Sequence, residues 1–175
     1  MLSIGIEVYI ILGALALLFI IVMVILPLVK YNNAKKILQK YPNFKQAKKQ
    51  LYDFIIENEE CKVLIRLLDV PSNSMITINS KDTWALQWGG SSSNLGRAYP
   101  NKKYLDEIKD FLKKDYQSDK KLYKIIVVNK STEKIVRYLN ESELAVVSYK
   151  ETIYGYKIFE LSKIEEQMEY LGIKL

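Results

Sequence analysis

Val8-Tyr-Ile-Ile-Leu-Gly-Ala-Leu-Ala-Leu-Leu-Phe-Ile-Ile-Val-Met-Val-Ile-Leu-Pro-Leu-Val29 carries no charge and is bounded by Glu7 and Lys30. As a helix this stretch spans about 33 Å, at about 1.5 Å per residue. A bilayer hydrocarbon core is about 30 Å thick. A soluble helix of this length keeps a polar face, and this one has none. The stretch therefore reads as a membrane span, and the rest of the chain as a small domain tethered to it.

A secretory signal is the competing reading. It needs a basic start, a short apolar region and a small-residue cleavage site. The first seven residues hold no Lys or Arg, and Lys30-Tyr-Asn-Asn33 offers no such site. Pro27 lies near the carboxyl end of the run, where a kink borders the interface. Gly13 is followed four residues later by Leu17, so tight dimerisation through small residues is not signalled.

Charge sets the expected orientation. Lysines 30, 35, 36, 40, 45, 48 and 49 follow the span with no acid among them up to Gln50, whereas the preceding tail carries only Glu7. The positive-inside rule places the lysine side in the cytoplasm. The expected organisation is an extracytoplasmic tail (1–7), a single-pass transmembrane helix in the cell membrane (8–29), a basic juxtamembrane helix (30–50) and a cytoplasmic domain (51–175). Lys30, Lys35, Lys36 and Lys40 are the candidate contacts to anionic lipid headgroups, at about 1 kcal/mol each near the surface.

The net charge of +6 belongs to this basic segment. Beyond residue 50 the remaining 19 basic side chains meet 19 acidic ones. The domain thus lacks the overall positive field that usually accompanies nucleic-acid binding. Membrane lipid is the expected partner, with a protein partner of unspecified identity, and nucleic acid is the minority reading. The chain has no histidine, which excludes Ser-His-Asp and Cys-His nucleophile activation and His-ligated zinc. The single Cys61 cannot form an internal disulfide and suits a small buried strand residue.

The fold class expected for the domain is α/β, with α+β as the alternative: a mixed sheet flanked by helices. Residues 31–60 read as helical, with Phe44, Ala47, Leu51, Phe54 and Ile55 on one face. Cys61–Val70, Met75–Asn79 and Thr83–Trp88 read as strands, the last two as a hairpin. Asn101–Lys114 reads as an amphipathic helix with Tyr104, Leu105, Ile108, Phe111 and Leu112 inward. Tyr123–Asn129 and Leu144–Tyr149 read as buried strands, and Glu133–Leu139 as a short helix. Ser162-Lys-Ile-Glu165 reads as a capping box opening a last helix, with Ile164, Met168 and Leu171 inward and Gly172 at its end.

The candidate sites are few. Gly89-Gly-Ser-Ser-Ser-Asn-Leu-Gly96 lacks the lysine of a phosphate-binding loop and reads as a mobile loop. Trp84 and Trp88 share one strand face, with Trp84 expected in the core. Trp88, beside the glycine loop, and Arg97 form a candidate interaction surface. Asp69 and Asp82 could ligate a metal, but neither has a second carboxylate at a ligand spacing.

From about residue 50 the order of elements resembles the NERD (nuclease-related) domain of the restriction-endonuclease-like PD-(D/E)xK fold. Thr83-Trp-Ala-Leu-Gln-Trp88 stands where that family has its F-V-I-E-x-K strand. Tyr99-Pro-Asn-Lys-Lys-Tyr-Leu-Asp-Glu-Ile-Lys109 is similar to its N-P-x-x-Q-x-x-x-x-I-x-x-L helix, and Tyr123-Lys-Ile-Ile-Val-Val-Asn129 to its later I-V-V-F strand. The resemblance implies a site where carboxylates hold a divalent ion and a lysine assists. Here Gln87 replaces the family's Glu, Gly89 its Lys, and Asn73-Ser74 its Asp. The expected function is therefore a membrane-anchored, non-catalytic interaction module with no cofactor. One alternative is a membrane-tethered, Mg²⁺-dependent nuclease drawing on Asp69, Asp82 and Gln87. The other is a small scaffold subunit of a membrane complex.

Overall fold

The computed structural model describes residues 5–47, 50–71, 74–89, 99–129, 134–140 and 143–175. The chain divides into two compact units, residues 1–38 and 39–175. The first is one helical rod. It runs as α1 (Ile6–Ile20), a five-residue π-helical stretch (Ile21–Ile25) and α2 (Leu26–Leu38). From Glu7 to Leu38 it is long and apolar enough to cross a membrane. Its large apolar side chains from Val8 to Val29 are 36% to 66% exposed. Such a surface is unstable in water, because roughly 25 cal/mol is lost for each Å² of apolar area left wet.

The second unit holds two five-stranded mixed sheets. In the first, β1 (Lys45–Gln46), β2 (Phe54–Glu57), β3 (Cys61–Leu68), β7 (Lys121–Val128) and β10 (Tyr156–Glu160) lie in that order. β3 and β10 flank β7 and run parallel to it. The second sheet has the order β6 (Asn101–Tyr104), β5 (Trp84–Trp88), β4 (Ser74–Ile78), β8 (Lys134–Tyr138), β9 (Leu144–Val146). There β4 pairs antiparallel with β5 and parallel with β8.

A core cluster joins the inner faces of both sheets. Leu64 and Leu68, Ile126 and Val128, Tyr156 and Ile158 from the first meet Ile76 and Ile78, Trp84 and Leu86 from the second. The Trp84 Nε1–H donates to the Tyr156 hydroxyl at 3.2 Å, and that hydroxyl donates to the Lys81 carbonyl at 2.9 Å. Both polar groups at the centre of the apolar cluster are thereby satisfied, as burial requires. The second face of the first sheet is buried too, through Phe54, Ile56, Val63, Ile65, Val127 and Phe159. Ile164 and Met168 of α4 (Ile164–Glu169), the helix that packs on β10, are also buried. This double covering explains the near-continuous apolar run in β7.

Several expectations change. The helix expected over 31–60 ends at Leu38, and β1 and β2 follow. Phe54 does not share a face with Ile55 as the helix stripe expected: it alternates with Ile56 along a strand, and Ile55 turns to the opposite face. Asn101–Tyr104 is edge strand β6, and only Asp106–Ile108 and α3 (Lys109–Lys113) are helical. Tyr104 therefore faces out at 54% exposure, while Leu105, Ile108, Phe111 and Leu112 do enter the core. The short helix expected at 133–139 is strand β8, and 144–149 is strand only to Val146, with Leu144 and Val146 exposed. No side chain caps the last helix, so the Ser162 capping box does not form. Gly172 ends that segment with φ +80, a conformation glycine adopts without strain.

Ile108 and Phe111 are 0% and 1% exposed. Replacing either by Ala is expected to destabilise the second unit by about 2–5 kcal/mol, as for other large-to-small core changes. Urea unfolding of the full chain in detergent, followed by tryptophan fluorescence, measures it.

Candidate functional site

The β4–β5 hairpin presents the candidates Asp82, Trp84, Gln87 and Trp88. Asp82 sits in its turn, where Ser80 Oγ donates to Asp82 Oδ1 at 3.3 Å and Lys113 Nζ lies 3.2 Å from Oδ2. The hydrogen bond from Lys113 holds the Asp82 carboxyl below the usual carboxylate range, and the Lys113 charge and Ser80 add to it. Asp82 lines a pocket of about 220 Å³ with Thr83, Trp84, Tyr104, Asp106 and Lys109.

Trp84 and Trp88 share the inner face, with Trp84 1% exposed and Trp88 half-buried against the core cluster. Alternation turns Gln87 to the opposite face, opposite Met75 on β4 and Lys102 on β6. Gln87 is five residue steps from Asp82 along extended chain, about 16 Å at about 3.3 Å each. The two do not share one ion. Asp69 follows β3 in the other sheet and is exposed, and it accepts from Asn129 Nδ2 at 3.3 Å. The three positions of the nuclease alternative are thus not brought together. The structure instead sets Asp82 beside Asp106 and Lys109. Those two were hidden in the sequence because 101–114 read as one amphipathic helix, which assigns both to its solvated face.

Among the described residues no group of three or more Cys, Asp or Glu is placed to hold a metal ion. Arg97, Asn73 and the glycine loop beyond Gly89 lie outside the described residues. Of the candidate headgroup lysines, Lys36 and Lys40 are exposed and Lys30 and Lys35 half-buried. Lys40 Nζ lies 3.9 Å from Glu165 Oε1, with both side chains more than half exposed. An ion pair of that kind contributes little.

The strand register also aligns apolar side chains on one face of the second sheet, exposed at its two edges and buried between them. On the face of the second sheet turned from Trp84, Tyr104, Ala85, Thr77, Val136 and Val146 form one row across five strands, with Ala85, Thr77 and Val136 buried. Tyr138 and Leu144 form the next. Tyr104, Tyr138, Leu144 and Val146 are 41% to 64% exposed. The neighbouring strand positions on this face are Met75, Gln87, Lys102 and Lys134.

No protein-family model, curated protein or solved structure matches the chain.

The Asp82–Lys113 pair has a direct check. Lys113→Ala removes the leading cause of the depressed carboxyl pKa, so the Asp82 value is expected to rise toward the ordinary value of about 3.9. Because the folded value is depressed, the stability this pair gives is present above the unfolded value and lost as pH falls through the folded one. In the variant that acid-dependent loss shrinks. Carboxyl-carbon NMR titration of the full chain in micelles reads the shift.

Proposed function

We propose that the chain is a single-pass membrane protein with its amino terminus outside and a cytoplasm-facing, non-catalytic interaction module at residues 39–175. The observation that carries this reading is the helix from Glu7 to Leu38, whose apolar side chains from Val8 to Val29 are exposed with nothing polar to balance them. The lysines that follow favour the cytoplasmic side for the domain. They also supply attraction to anionic headgroups at about 1 kcal/mol each.

The chemistry of the domain supports interaction over catalysis. Its well-positioned acids are engaged in structure. Asp53 accepts from the Leu67 N–H at 2.8 Å and from Arg66 at 3.2 Å, and Glu57 pairs with Lys120 at 2.8 Å. The exposed side chains of Tyr138, Leu144 and Val146, neighbours on β8 and β9, offer a contact surface instead, since apolar side chains clustered on one face mark interaction sites more often than isolated ones do.

Topology is checked by protease protection. In intact cells expressing the full chain, a carboxyl-terminal tag is expected to survive added protease, and in inverted vesicles to be digested. The opposite pattern rejects the orientation.

A second reading, the metal-dependent nuclease, draws on one observation: Asp82, Asp106 and Lys109 line the same pocket. Two carboxylates and a lysine are the residue types that such hydrolysis uses. The Lys113 ion pair on Asp82 and the modest size of the pocket weigh against it. The full chain in detergent, given DNA or RNA with Mg²⁺ or Mn²⁺, is expected to cleave neither. Metal-dependent cleavage abolished by Asp82→Asn or Asp106→Asn would establish the nuclease.

A further inference from the structure

The last helix and the segment entering β1 line an open pocket of about 400 Å³. Its lining includes Tyr41, Glu165, Glu166, Glu169, Ile173 and Lys174. That volume lies within the range of about 300–1,000 Å³ common for small-molecule sites.

Three of its lining side chains are acids and one is a lysine. Glu165 and Glu169 are one helical turn apart, which puts their Cβ atoms about 5–6 Å from each other as a like-charged pair. Their cationic neighbours are loose: Lys40 Nζ stands 3.9 Å from Glu165, and Lys174 Nζ 3.9 Å from Glu169, all with side chains at least 58% exposed. Glu166 is oriented by the Tyr149 hydroxyl, which donates to it at 2.8 Å.

An independent observation marks the same pocket. Tyr41 is only 3% exposed, and its hydroxyl is buried with no hydrogen-bond partner among the described residues. A buried hydroxyl without a partner is uncommon. Burial, and after it the nearby Glu165, push its pKa up to about 12, and the phenol oxygen carries lone pairs that accept an N–H. Ile173, 2% exposed, adds an apolar wall.

We propose that this pocket binds a small organic cation, an alkylammonium or guanidinium on a short aliphatic arm. The Glu165 and Glu169 carboxylates receive its charge, the Tyr41 hydroxyl accepts one of its N–H groups, and Ile173 packs against the arm. A metal ion fits less well, because no three acids among the described residues are placed to ligate one. A guanidinium spreads its donors in a planar fork that reaches several acceptors at once. The inference does not depend on the membrane reading.

The test uses the full chain in nanodiscs of phosphatidylcholine, so that no anionic headgroup competes for the probe. Isothermal titration calorimetry is run with agmatine, with the blocked tripeptide acetyl-Gly-Arg-Gly-amide and with neutral butylurea. Saturable binding of agmatine without binding of butylurea is expected, weakened at least tenfold by Glu169→Gln and at least threefold by Tyr41→Phe. Binding of agmatine alone identifies a free cation as the occupant. Equal binding of the peptide identifies an arginine side chain as the source of the same head group. Glu169 is exposed, so its variant remains informative if Tyr41→Phe perturbs folding in circular dichroism. No saturable heat from either cationic probe, or affinity unchanged in Glu169→Gln, overturns the proposal.

Discussion

The parallel pairing of β3 with β7 is the constraint on which the second unit depends. It runs without interruption from Cys61 opposite Lys121 to Leu68 opposite Val128. β2 adds to one side of this pair and β10 to the other. At its end both strands leave the sheet together. The Asn129 N–H donates to the Leu68 carbonyl at 2.9 Å, and the Asn129 side chain bonds Asp69. The chain then re-enters as β4 and β8, which pair in parallel in the second sheet. Two adjacent crossovers therefore oppose the sheets and fix which faces enclose the core. Asp69 belongs to this joint.

A lysine-rich chain has to place many ammonium groups, and several here replace water at backbone carbonyls. Lys124 Nζ donates to the Leu112 and Lys114 carbonyls at 2.9 and 2.8 Å, closing the end of α3. Lys157 Nζ does the same for Lys150 and Glu151 at 2.7 and 3.3 Å. Burial pushes the pKa of both lysines down. Their alkyl stems cover apolar surface while the heads meet carbonyl oxygen. Composition alone assigns such residues to solvent.

The sequence was legible where one physical signal acted alone. The charge-free run from Val8 to Val29 gave the long helix, β3 and β7 showed as apolar runs, and β4 and β5 as a hairpin with Trp84 inward. The reading failed where two signals superposed. In 101–114, edge-strand residues run directly into about two helical turns, and Tyr104 by chance falls on the helical spacing of Leu105, Ile108 and Leu112. In 31–60, Phe54 and Ile56 sit in a strand beside lysines that imitate the polar face of a helix. That one sheet would become two was not visible, because nothing local distinguishes a crossover between sheets from a loop within one. The pocket at Tyr41 was illegible for a related reason: it joins residues more than 120 positions apart.

The same topology governs the order in which this chain becomes a folded object. β3 waits for a partner sixty residues downstream, and β7 is not flanked on both sides until Glu160 exists. Pairings of such separation close slowly, since the entropy of the intervening loop is lost before any contact repays it. During synthesis at about 5–20 residues per second, β3 spends several seconds emerged with its parallel edge open. For that interval Val63, Leu64 and Ile65 form an unpaired apolar edge, the kind of surface that recruits chaperones or other nascent strands. The Lys62 and Arg66 side chains on either side of them are the charges that discourage edge-to-edge pairing until β7 arrives.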